Sequence, residues 1–200
     1  TILIGWALLA PGLGSAGAPA QGLAELMRGM ASSRGVAANF HELKRIAVLR
    51  EPIETQGRLY FVPPGRMRRE IHAPVQSRLI IDGSRVRMEE DGGVRDLSDS
   101  PMARAFVENF VVLWSGDLEA LEERYQVSFE ATGSDWEMTL VPRDPNMRRA
   151  IDSIVLRGSS GSLREIETRE VDGDRTLTTL QDVEPDRVFD HAEIRQLFPE

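Results

Sequence analysis

The chain has no cysteine, only three histidines, and aromatic residues at just 6 % of its 200 positions. Without Cys there is no disulfide, no thiol nucleophile and no Cys-ligated zinc. Nor is there a thiol at the N-terminal cleavage site on which a bacterial lipid anchor is built. His41, His72 and His191 lie far apart and form no HxH, HExxH or HxxxH pattern, so a metal site has no support in the sequence. A GxSxG nucleophile elbow and a phosphate-binding glycine loop are also missing. Positive charge is in deficit, with 24 Lys and Arg against 32 Asp and Glu and a net −8, which argues against a nucleic-acid partner. A pair of carboxylates for glycoside chemistry remains open, since any two of the 32 acids can meet in space. Taken together these absences point away from an enzyme and from any cofactor.

Charge of either sign is missing from one stretch. Residues 1–20, TILIGWALLAPGLGSAGAPA, contain no Asp, Glu, Lys or Arg. The run from Ile2 to Ala10 and the small residues after it read as the apolar core and cleavage region of a secretory signal peptide, with Ala18-Pro19-Ala20 as the small-x-small motif and cleavage before Gln21. Pro11, Gly12 and Gly14 interrupt it too early for a spanning helix, which needs about 20 mainly apolar residues. The basic leader of such a segment would lie before Thr1. A buried N-terminal strand or helix is the other reading. On the first, residues 21–200 are a single exported domain, acidic, monomeric and soluble in the periplasm. A content of 41 % hydrophobic and 28 % charged residues fits a globular chain and excludes wholesale disorder or a multi-span membrane protein.

Within that region the hydrophobic period decides the elements. Leu23, Leu26, Met27 and Met30 fall on one face of a helix over 21–33. From Val36 the period changes to two, in a run to Arg50 with a bulge expected near His41. Alternating segments follow at 56–62, 66–72, 76–81, 85–90 and 94–97, separated by Pro63-Pro64-Gly65, Ala73-Pro74, Asp82-Gly83 and Asp91-Gly92-Gly93. Ser100-Pro101 reads as the start of a helix carrying Met102, Ala105, Phe106, Phe110, Leu113 and Trp114 and stopped by Gly116. Asp117 caps a shorter helix to about Arg124, and strands return at 125–131, 136–141, 151–157, 163–171 and 175–183. The fold class is mainly β with helices (α+β): one large antiparallel sheet of about eleven strands.

Alternation places Leu59, Phe61, Met67, Ile71, Leu79, Ile81, Val86, Met88, Val127, Phe129, Trp136, Met138, Leu140, Ile154 and Leu156 on one face. The other face receives Arg58, Arg66, Arg68, Glu70, Arg78, Arg85, Arg87, Gln126, Ser128, Glu130 and Glu137, so the sheet reads as strongly one-sided. A sheet of that width curling toward closure encloses more volume than its own side chains fill, which allows a ligand cavity. The 101–115 helix would plug it or cover it as a lid. The same pattern also describes a filled core. The candidate lining is Leu59, Phe61, Met67, Ile71, Leu79, Ile81, Met88, Phe129, Trp136, Met138 and Leu140, with Phe106, Phe110, Leu113 and Trp114 from the lid. Arg69 falls among them, between Met67 and Ile71, where a charge must pair, snorkel or meet an anionic ligand.

The order of motifs resembles the LolA family of periplasmic outer-membrane lipoprotein carriers. It is carried by Phe40, Gln56-Gly57-Arg58-Leu59-Tyr60-Phe61, Pro64, Arg66-Met67-Arg68, Pro74, Leu79-Ile80-Ile81-Asp82-Gly83 and Ser115-Gly116-Asp117. Trp136 to Pro142, the strand from Ile151 to Gly158, and Asp172-Gly173-Asp174 also fit. The resemblance implies an incomplete antiparallel β-barrel of about eleven strands with a helical lid over a hydrophobic cavity. It further implies an acylated cargo (lipoprotein, glycolipid or other amphiphile), an inner-membrane donor and an outer-membrane acceptor. Pro63 stands where those carriers often have an Arg, and Asp190 to Glu200 reads as a short helix and tail in place of their terminal strand and loop. A sensor or interaction module on the same fold, with a filled interior, is the alternative.

Overall fold

A computed structural model describes residues 18–90, 92–100, 112 and 115–199. Eleven strands form one antiparallel sheet: β1 (Val36–Arg45), β2 (Ile53–Val62), β3 (Arg66–Ala73), β4 (Ser77–Asp82), β5 (Arg85–Glu90), β6 (Gly93–Asp96), β7 (Tyr125–Thr132), β8 (Asp135–Pro142), β9 (Ile151–Ser159), β10 (Ser162–Glu170) and β11 (Arg175–Glu184). The spatial order is β6-β5-β4-β3-β2-β1-β11-β10-β9-β8-β7. Two meanders are therefore joined where β1 pairs with β11, and β6 and β7 are left as open edges. Around the sheet are α1 (Ala18–Ala31), α2 (Leu118–Arg124) and α3 (His191–Leu197), with a 3-10 turn at Met147–Arg149. Among the described residues no helix is long and apolar enough to cross a membrane.

The turns sit where Gly and Pro punctuate the alternation, and most strand limits lie within a residue or two of those expected. Two corrections concern β1. It ends at Arg45, because the Ala47 N–H turns to the Asp174 carboxylate at 2.8 Å and Leu49 closes a turn on Ile46. The bulge is at Ala37/Asn39 against β11, not at His41, and against β2 the register runs unbroken. Asp117 caps α2 by accepting from the Ala120 N–H, as its position before a short apolar period predicts.

The sheet curls so that residues of both meanders share one core on its concave face. Leu59, Met67, Ile81 and Val86 of the first half join Trp136, Met138, Leu140 and Leu156 of the second, with Leu23, Leu26 and Met27 of α1. The convex face is less polar than alternation suggested. Ala37, Val62 and Ile80, with Tyr60 beside them, form a second small core under Phe189 and Phe198 of the C-terminal segment. That segment carries a capping box between Asp190 and Glu193. Arg68 donates to the Gln196 and Leu197 carbonyls, satisfying acceptors at the end of the helix, and Arg87 donates to the Pro199 carbonyl just beyond it.

Candidate ligand cavity on the concave face

Two rings lie across glycines. Phe40 stands opposite Gly57 on β2, and Trp136 stands opposite Gly158 on β9. A Cβ on Gly57 would come within 2.7 Å of the Phe40 ring and collide with the Glu70 carbonyl; on Gly158 it would collide with Trp136 and the Ser162 carbonyl. Both glycines thus let an aromatic side chain lie down on the sheet, and the centre of the concave face is left open.

The open centre is a cavity of about 300 Å³, at the lower end of the range for small-molecule sites. Its wall comes from both halves of the sheet: Phe40, Leu59 and Met67 on one side, Trp136, Met138, Ile154 and Leu156 on the other, with Leu163, Ile166 and Leu180 between. Met30 of α1 and Met147 of the 3-10 turn complete it. A cleft of about 350 Å³ between the end of α1, the start of β10 and the end of β11 shares Met30, Leu163 and Leu180 with this wall and adds Val36, Phe61, Val183 and Pro185.

One set of polar groups interrupts the apolar lining. Arg69 Nη2 donates to Glu42 Oε1 at 2.9 Å, and the guanidinium carbon lies 4.4 Å above the Phe40 ring. The Thr178 hydroxyl donates to Glu42 Oε2 at 2.8 Å and the Thr55 hydroxyl to Oε1 at 3.3 Å. Of the alternatives for Arg69, the described residues show pairing, with a cation–π contact added. Tyr125 lines the same wall; burial pushes its phenol up to about 12, so it stays a neutral hydroxyl. The indole N–H of Trp136 is buried with no acceptor among the described residues.

Of the residues expected to line a site, Leu59, Met67, Arg69, Trp136 and Met138 border the cavity, and Phe61 borders the adjoining cleft. Ile81 and Leu140 are fully buried in the core and touch neither space. Leu79 and Phe129 pack against that core from the outer strands. Ile71 borders an exposed groove with Glu70, His72 and Arg78, and Met88 lies on β5 opposite Leu79. Phe106, Phe110, Leu113 and Trp114 lie outside the described residues. Val112 of the same segment is buried in the core, and Gly116, with φ +71, follows it closely against α1.

Sequence reasoning passed over Phe40, Glu42, Tyr125, Thr168, Thr178 and Leu180 as lining. A signal existed for the first two: Ala38, Phe40 and Glu42 alternate along β1, and placing the bulge at His41 broke that alternation just before Glu42. Elsewhere on the surface, Glu170, Asp172 and Asp174 draw together at the β10–β11 turn. Their carboxylates are engaged locally, Glu170 by Lys44, Asp172 by the Asp174 N–H and Asp174 by the Ala47 N–H.

The family described as outer membrane lipoprotein carrier protein LolA-like matches residues 16–194. The outer-membrane lipoprotein carrier protein of Chromohalobacter salexigens is 24 % identical over 147 residues, 74 % of this chain and 69 % of that protein. Among solved structures, a chain of the Pseudomonas aeruginosa MucA/MucB complex has a TM-score of 0.51 at 10 % identity, covering 90 % of this chain. This chain spans 61 % of that neighbour. A LolA superfamily protein from Nitrosomonas europaea has a TM-score of 0.42 at 10 % identity, with 87 % of this chain and 98 % of that one covered. At 10 % identity the likeness to the MucA/MucB chain speaks to the fold alone.

Proposed function

The chain belongs to the LolA-like family of outer membrane lipoprotein carrier proteins, and from that premise we propose that it is a periplasmic carrier which shelters the acyl chains of a lipoprotein or another lipid-like product on their way to the outer membrane. The working unit is residues 21–200, released from the uncharged segment 1–20. One observation carries the reading: an apolar space of about 300 Å³ inside the concave face, lined from both halves of the sheet.

The physical demand matches that space. Each buried methylene is worth about 0.8 kcal/mol, so an acyl chain crossing water needs a container that excludes water. Leu59, Met67, Trp136 and Met138 supply apolar wall, and Met30, Met67, Met138 and Met147 supply adaptable side chains that repack around chains of different length. Phe61 stands at the cleft through which a chain extends toward the end of α1. The function is carriage, without a bond made or broken. The interior space also favours this reading over an interaction module, for which a filled interior was expected.

Native mass spectrometry with lipid extraction, on protein purified without detergent exchange, tests it. A co-purifying amphiphile, and displacement of an apolar fluorescent probe by that amphiphile, is the expected result. No bound amphiphile together with no uptake of the probe overturns it.

A further inference from the structure

The ion pair in the cavity wall limits which acyl-bearing head can sit beside it. Arg69 on β3 lies opposite Leu59, and Glu42 on β1 lies opposite Thr55, so the two reach each other diagonally across Gly57 of β2. No side chain on Gly57 stands between them, and Phe40 forms the platform beneath the guanidinium. Both side chains are three-quarters buried or more, at 25 % and 21 % exposure, and both line the apolar cavity.

The pair is electrically neutral but not saturated. Glu42 has both oxygens occupied, by Arg69 and Thr55 on one and Thr178 on the other. Arg69 donates from Nη2, and its Nε and Nη1 have no acceptor among the described residues. The site therefore offers N–H donors without offering net positive charge. A carbonyl oxygen can accept from those donors and bring no charge with it. A carboxylate arriving at Arg69 would stand within a few ångströms of Glu42 in a low-dielectric space, where two like charges resist ionising together. Without Glu42, the same guanidinium would be a bidentate carboxylate site.

We infer that the Glu42–Arg69 pair makes this cavity select acyl chains joined through an uncharged ester or amide over acyl chains ending in a free carboxylate. This rests on the carrier reading above and adds a specificity-determining pair to it: Arg69 donates to the linkage, and Glu42 excludes the fatty-acid anion by occupying the cation first.

The test uses the delipidated full chain and two probes of equal chain length at pH 8, palmitate and its glycerol monoester, each displacing an apolar fluorescent probe. The wild type is expected to prefer the monoester by about tenfold or more. Glu42→Gln keeps the shape and removes the charge; it should raise palmitate affinity about tenfold while leaving the monoester within about threefold. Arg69→Gln, as a second variant, should weaken the monoester and still reject palmitate. Equal wild-type affinities, or a Glu42→Gln effect of the same size on both probes as a merely structural pin would give, overturns the inference and leaves the carrier reading standing. Failure of the wild type to take up the apolar probe at all overturns the carrier reading, and the inference with it.

Discussion

At the scale of single residues, the two glycines beneath aromatic rings have the most direct energetic consequence. A methyl group at Gly57 would overlap the Glu70 carbonyl and the Phe40 ring, and one at Gly158 would overlap Trp136 and the Ser162 carbonyl. Because these neighbours are backbone or rings held flat on the sheet, neither can yield cheaply. Gly57→Ala and Gly158→Ala should each cost about 3 kcal/mol in urea denaturation, whereas Gly133→Ala, whose Cβ would meet nothing, should cost only the strain of its φ of +63. Asp186 gives a second residue-scale prediction. Hydrogen bonds from the Arg34 side chain and backbone hold its carboxyl down to about 2, below its usual 3.8. The folded value is the lower one, so the clasp is complete above pH 4 and is lost as pH falls through about 2. Thermal melts between pH 5 and pH 2 should show this acid loss, and Asp186→Asn should remove its share of it. The sequence marks Gly57 only as part of a family-like QG pair; what sits over it depends on the register between β1 and β2.

Among the elements, the C-terminal helix shows where reading by period two falls short. Tyr60, Val62 and Ile80 lie on the convex face between charged neighbours, and in sequence they look like isolated exceptions on a solvated surface. They become a core only because Phe189 and Phe198 arrive from more than a hundred residues away, held by Arg68 and Arg87 at the helix end. Phe198→Ala should destabilise the chain by about 3 kcal/mol, and Asp190→Ala, which removes the cap, by about 1 kcal/mol. Both should leave displacement of an apolar probe from the concave cavity unchanged, since they act on the opposite face; loss of probe uptake in step with stability would contradict the separation of the two cores. The strands themselves were legible, because Gly and Pro turns bracket each alternating run. The end and bulge of β1 were not, because a contact from Asp174 to the Ala47 N–H decides one and pairing with β11 the other.

For the molecule as a whole, stability and cargo are linked. A ligand that binds only the folded barrel raises its stability by about 2.7 kcal/mol at a hundred times its dissociation constant. The melting temperature should therefore climb with added monoester and respond far less to palmitate; a palmitate response as large as the monoester's would contradict the selectivity assigned to Glu42. Much of the architecture was determined by the sequence alone: eleven strands, the turns between them, the three described helices and an apolar face, since period and punctuation are local properties of the chain. Curvature and register are not local. They decide that Leu140 and Ile81 are packed solid while Met138 and Met67 border empty space, though all four share one alternating face. They also bring Glu42 to Arg69 across 27 residues and to Thr178 across 136. Alternation places a charge on the inner face; only the tertiary structure could supply its partner, because that partner comes from a strand two places away in the sheet and its support from the far end of the chain.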